Sequence, residues 1–120
     1  MGNFKALKVW QEAKALSVSI YKLTNSGKLA KDYGLKDQMQ RAAVSIPSNI
    51  AEGDELDTNK QAIRHFYIAK GSCAELETQL IIAYEINYIN TDELDKLSDQ
   101  CQKISAMLRK LINARNKQTE

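Results

Sequence analysis

Residues 62–83 read Ala-Ile-Arg-His-Phe-Tyr-Ile-Ala-Lys-Gly-Ser-Cys-Ala-Glu-Leu-Glu-Thr-Gln-Leu-Ile-Ile-Ala. Within them Ala62, Phe66, Ala69, Cys73, Leu76, Leu80 and Ala83 step by four and three in turn. Such stepping keeps the side chains on one face of a helix, whereas a half-buried strand needs alternation at every second residue. Just upstream, Thr58 and Gln61 have the spacing of a capping box, in which each side chain satisfies a free backbone amide of the other. The helix is expected over 59–88.

The same period recurs on both sides. Downstream, Asn90-Thr91 makes a turn, and Asp92 and Glu93 suit a helix N-terminus; Leu94, Leu97, Cys101, Ile104, Leu108 and Leu111 then define a helix over 92–115. Upstream, Leu35, Met39, Ala42 or Ala43, Ile46 and Ile50 define one over 35–52, with Gly53 as its stop. Pro47 lies inside that pattern and costs a straight helix about 3 kcal/mol. Because the period continues to Ile50, a bend is expected rather than a break. At the start of the chain Ala6, Val9, Ala13, Leu16, Ile20 and Leu23 place a helix over 5–24, and Gly27 is suited to the positive φ after its end. Four amphipathic helices on short connections make an all-α, up-down-up-down antiparallel four-helix bundle, read as one domain over 1–120.

Composition agrees. With 43% hydrophobic and 27% charged residues, but only five Gly and one Pro, the chain is neither disordered nor rich enough in turns for many short strands. No apolar run is long enough to span a bilayer, and the first residues lack an apolar leader, so a cytoplasmic location is expected. Cys73 and Cys101 form no CxxC; both fall on the apolar stepping, as separate core thiols. His65 is the single histidine, and position 62 is Ala, which leaves no Glu-x-x-His pair for a di-iron bundle. Arg64 adjoins His65 directly, a spacing that disfavours a helical ribonuclease site, so His65 reads as a surface or boundary residue. Gly53 and Gly71 are isolated and make no phosphate-cradling loop. No catalytic set, metal site or cofactor is expected.

Two further patterns remain. Gln38, Arg41, Ser45, Ser48, Asn49 and Glu52 recur at helical spacing as a polar line beside the apolar one. It is either solvated surface or a partly buried seam, with Ala42, Ala43 and Gly71 allowing close backbone approach. Trp10 and Tyr21 on the first helix, and Ile63, Tyr67, Ile81, Tyr84 and Tyr88 on the third, lie off the core lines. Joined by Ala74, Ile68, Ile82 and Ile89, they exceed what one core uses, and a subunit interface is the economical explanation.

Several of these stretches resemble one family. Val9-Trp10-Gln11 with Ala13, Leu16 and Tyr21 is similar to the opening of the 23S ribosomal RNA intervening-sequence proteins. Tyr33-Gly34-Leu35, Gln38 and the run from Arg41 to Gly53 resemble that family's most specific stretch, and Ala69 to Ser72 with Glu75 to Thr78 its third-helix motif. The resemblance implies a four-helix bundle that assembles into a homopentamer. It also implies a structural role for the polar line. A related branch, the accessory variability determinant of diversity-generating retroelements, partners a reverse transcriptase and binds nucleic acid.

The leading expectation is therefore a non-enzymatic assembly or scaffold protein. The alternative is direct, sequence-independent RNA or DNA binding, including as an accessory partner of a nucleic-acid enzyme. An up-down-up-down bundle gathers Lys5, Lys8, Arg109, Lys110, Arg115 and Lys117 at one pole, with Lys103 nearby, although Asp54, Glu55 and Asp57 lie there too. The competing explanation is a solvated basic end answering the dipole of the fourth helix.

Overall fold

The structure, a computed structural model, describes residues 2–56 and 58–119, with side chains to Lys117. Four helices account for nearly all of it: α1 (Lys8–Thr24), α2 (Tyr33–Glu55), α3 (Asn59–Glu85) and α4 (Thr91–Thr119). Single 3-10 turns, Phe4–Ala6 and Leu29–Lys31, precede α1 and α2. Each helix packs on its chain neighbours and α1 closes against α4, giving a rod of 48 × 21 × 19 Å.

All seven stepped residues of α3 are buried, as are Val9, Ala13, Leu16 and Ile20 on α1 and Leu97, Cys101, Ile104 and Leu108 on α4. The stripes end sooner than expected at some tips. Ala6 is exposed in the first 3-10 turn, while Leu23, Leu35, Leu94 and Leu111 are half-buried. Leu29 and Ile112 join the core instead.

Helix ends depart from expectation for identifiable reasons. Gly53 does not stop α2, which runs to Glu55. A Cβ there would lie 2.6 Å from Cε1 of Phe66, so this glycine lets α2 and α3 approach instead of breaking a helix. Gly71, expected in that role, is exposed and meets nothing. Helix α3 stops at Glu85 because Asn87 takes φ 65°. The Tyr88 amide then donates to the Ala83 carbonyl (2.8 Å) and the Asn87 amide to that of Tyr84 (3.0 Å), a Schellman closure with Asn in the left-handed position. Asn90 and Glu93 form a reciprocal capping box: the Glu93 amide donates to Asn90 Oδ1 and the Asn90 amide to Glu93 Oε1. At α3 the Thr58 half of the expected box is in place, with Oγ1 accepting from the Gln61 amide.

Pro47 sits in unbroken helix. Its missing N–H leaves the Ala43 carbonyl, four residues earlier, without an intrahelical donor. Ser17 on α1, buried at 8% exposure, fills that gap: its Oγ lies 2.8 Å from the Ala43 carbonyl. Two turns on, fully buried Thr24 donates to the Ile20 carbonyl and accepts from Gln40 Nε2 of α2. These hydroxyls pin α1 to α2.

Ser17→Ala is expected to destabilise by about 1–3 kcal/mol, because it leaves a buried carbonyl unpaired. In a Pro47→Ala background the restored amide serves that carbonyl, and the same change should cost less than about 1 kcal/mol. Urea unfolding of the four chains measures the coupling; equal costs in both backgrounds would dissociate Ser17 from Pro47.

Candidate functional site

The polar line of α2 divides in two. Gln38, Arg41, Ser48 and Glu52 are exposed, and Arg41 Nε donates to Asp37 Oδ2 at 3.0 Å within its own helix. Ser45 and Asn49 turn inward, because their helical positions face α3. Ser72 Oγ donates to Ser45 Oγ (2.8 Å), and Asn49 Nδ2 donates to the Ser45 carbonyl (2.9 Å). Asn49 Oδ1 meets His65 Nδ1 at 2.9 Å, with Glu52 Oε2 3.5 Å from the same nitrogen.

His65 is thus a boundary residue with a definite job: it ends a hydrogen-bonded row along the α2–α3 seam. That link joins residues 16 apart, and nothing in the local sequence announces it. Chemically the row is a connector. Asn49 stands between His65 and the two serines, so no hydroxyl lies against the imidazole as a nucleophile lies against its base. Among the described residues no group of three His, Cys, Asp or Glu side chains is placed to hold a metal ion.

The two thiols line one shallow groove between α3 and α4 with Lys70, Glu77 and Arg109, but each is buried and free. Desolvation pushes both from 9.0 up to about 12. A neutral buried thiol is a poor nucleophile and packs as a small hydrophobe.

The basic pole separates into two kinds of cation. Lys5, Lys8, Arg109, Lys110 and Lys117 are exposed. Lys103 instead pairs with Glu12 at 3.0 Å, tying α4 to α1. Arg115 is largely enclosed: Nη2 donates to Asp54 Oδ1 at 3.1 Å, and the guanidinium stacks over Phe66 at 5.5 Å. Asp54, whose side chain is 6% exposed, is that pair's buried anion. Glu55 is exposed, and Asp57 lies outside the described residues.

The off-core apolar residues also separate. Tyr88 packs on the core and its hydroxyl donates to Asp32 Oδ2 (3.0 Å), a bond that raises the phenol above its usual range. Asp32 meanwhile caps α2 by accepting from the Leu35 amide. Ile63 packs on the core, Ile89 is buried, and half-buried Trp10 packs there with the edge of Phe4 against it and the Lys14 ammonium 5.3 Å away. Tyr67, Ile68, Ile81, Ile82 and Tyr84 on α3 and Ile86 just past its end stay exposed, as do Val18 and Tyr21 on α1 and Val44 on α2.

These features define an antiparallel four-helix bundle with a polar seam between its two middle helices and apolar side chains on its outer faces. The model of the 23S rRNA-intervening sequence protein family matches residues 5–110, and the chain belongs to that family. Among solved structures it is similar to a protein of unknown function from the S23 ribosomal protein family of Bacteroides thetaiotaomicron. The two share 22% identity with a TM-score of 0.80, over 87% of this chain and 97% of that one, which establishes a common fold. No curated protein matches the sequence.

Arg115→Ala is expected to destabilise the bundle by about 3 kcal/mol, since it strands a buried carboxylate, whereas Arg109→Ala should move stability by less than about 0.5 kcal/mol. Thermal or urea midpoints compare them directly; equal effects would place the Asp54 pair in solvent. Both thiols should resist a thiol reagent at pH 8 until denaturant is added. Their folded pKa exceeds the unfolded one, so this contribution to stability is whole below pH 9.0 and is lost as pH rises through about 12. Native-state labelling as fast as denatured-state labelling would contradict the burial.

Proposed function

We propose that this protein is a non-enzymatic assembly module, a bundle whose work is done by joining copies of itself into a larger particle. One observation carries the reading: Val18 (49% exposed), Tyr21 (41%), Val44 (40%), Tyr67 (57%), Ile68 (46%) and Ile82 (46%) stand on the surface of one small chain. Single exposed apolar residues are ordinary, but several on neighbouring helix faces form patches of the kind that subunits cover. The seam suits this role too. A satisfied polar row fixes the α2–α3 register and presents both helices as a rigid platform. By family resemblance the expected assembly is a pentamer. No helix among the described residues is long and apolar enough to cross a membrane, so the exposed side chains are not a spanning surface.

The exposed part of the basic pole favours a second reading, weak contact with RNA or DNA phosphates. With α4 antiparallel to α1, the Lys103–Glu12 pair sets the level at which Lys5 and Lys8 fall beside Arg109 and Lys110. Repetition around a particle would raise the local potential without changing the +2 charge of each chain. Such an assembly would serve as a scaffold for RNA or for a nucleic-acid enzyme.

Light scattering at micromolar concentration should give a multiple of 13.5 kDa; a monomer would overturn the assembly reading. A dimer or tetramer would overturn only the pentamer. Nucleic-acid titration at about 50 mM salt should show binding that weakens steeply as salt rises and drops in an Arg109→Ala, Lys110→Ala variant. Equal binding by both chains, or none by either, would reduce the pole to a helix end.

A further inference from the structure

The exposed apolar side chains include two groups that differ in the charge beside them. The first is a groove of about 500 Å³ between α1 and α2, lined by Lys14, Ser17, Val18, Tyr21, Lys22 and Pro47, among others. Lys14, Val18 and Lys22 follow one another at four-residue spacing, so two lysines, the first with its ammonium over the Trp10 ring, flank an apolar floor. No carboxylate lines this groove.

The second is a ridge on α3. Ser72 and His65 fix the side of α3 that faces α2, and Glu77, which accepts from Gln102 at 2.7 Å, fixes the side that faces α4. Ile68, Glu75 and Ile82, at seven-residue spacing, occupy the outward strip between them, with Glu85 and Ile86 continuing it; all five are exposed. From Gly71 to Glu85 the helix carries Glu75, Glu77 and Glu85 and no basic residue.

Resting on the assembly reading above, we infer that the α3 ridge of one copy seats in the α1–α2 groove of a second copy, Glu75 and Glu85 meeting Lys22 and Lys14. The occupant is identified by complementarity in shape and sign: an apolar ridge with acids, an apolar groove with bases. Spacing agrees. At 1.5 Å per residue the lysines are about 12 Å apart and the glutamates about 15 Å, a difference within the reach of flexible side chains. Groove and ridge lie on different sides of the bundle, so the contact is head-to-tail: each copy offers its groove to one neighbour and its ridge to another. A two-fold dimer cannot satisfy both. A ring satisfies both in every copy.

Charge reversal tests this. Lys14→Glu with Lys22→Glu, and separately Glu75→Lys with Glu85→Lys, should each weaken assembly by about tenfold or more in sedimentation or light scattering, with helical circular dichroism unchanged. All four changes in one chain should restore assembly. Mixing the two double variants should restore contact between unlike copies, where groove and ridge again differ in sign, although a ring of five leaves at least one like-signed junction. Should either reversal disturb folding, Ile82→Asp at its exposed site provides a second route, with the same loss of mass expected. A wild-type monomer overturns both the assembly reading and this contact. Wild-type assembly that survives each reversal, or a fourfold variant that fails to reassemble, overturns this contact alone.

Discussion

The Ala43 carbonyl, deprived of its intrahelical donor by Pro47, is the constraint on which much of this bundle turns. A buried carbonyl left unpaired costs about 1–3 kcal/mol, enough to consume a large share of a small domain's stability. Ser17 meets it at 2.8 Å, which requires a serine on α1 at this depth and brings the α1 backbone close to α2. The same proline and serine line the outer groove between these helices, with Val44 beside them. A defect within α2 therefore has two results: it fixes the spacing of α1 and α2, and it shapes a surface concavity. With alanine at position 47 the helix would supply its own donor to that carbonyl and would not need the hydroxyl.

Each end of the rod is held by a separate device joining distant parts of the chain. At one end Gly53 admits the Phe66 ring against α2, and Arg115 lies over that ring while donating to Asp54. Glycine, aromatic ring, guanidinium and carboxylate form a single stack that anchors the far end of α4. At the other end Asp32 uses one oxygen to cap α2 and the other to accept from Tyr88. Between these ends lies the α2–α3 seam, where Ser45, Ser72, Asn49 and His65 satisfy one another. Polar rows of this kind add little net stability, but a displacement by one turn would break both cross-helix links, Ser72–Ser45 and His65–Asn49, which selects a single register.

What the sequence made legible follows from how local each signal is. The three-and-four stepping marks the core of α3 throughout, because burial on one helix face is a property of spacing alone. Ser17 and Thr24 were missed: a hydroxyl beside an apolar stripe looks like surface until its partner on another helix is known. Gly53 read as a stop because glycine commonly ends helices; here its value lies in the absent side chain, which only the position of Phe66 reveals. The end of α3 was placed late because the left-handed residue is Asn87 rather than glycine. For the candidate site, the polar line was visible as a period, but its division into an inner pair and an outer set was not. That division, like the enclosure of Arg115 by Asp54, depends on which neighbour each side chain faces.

A net charge of +2 conceals a strong internal separation. Lysines bracket the α1–α2 groove, carboxylates follow the α3 ridge, and a further group of exposed cations ends the rod. If apolar exposure alone drove association, the chain would meet itself in many orientations, because burial is non-directional. Opposed charge on two apolar faces removes most of those orientations, since like-signed faces repel when they meet. Lys5 beside the start of α1, Lys8 in its first turn, and Arg109 and Lys110 in the second half of α4 are not among the residues proposed for that contact. The charges proposed to orient assembly and those proposed to meet phosphate are thus carried by different residues.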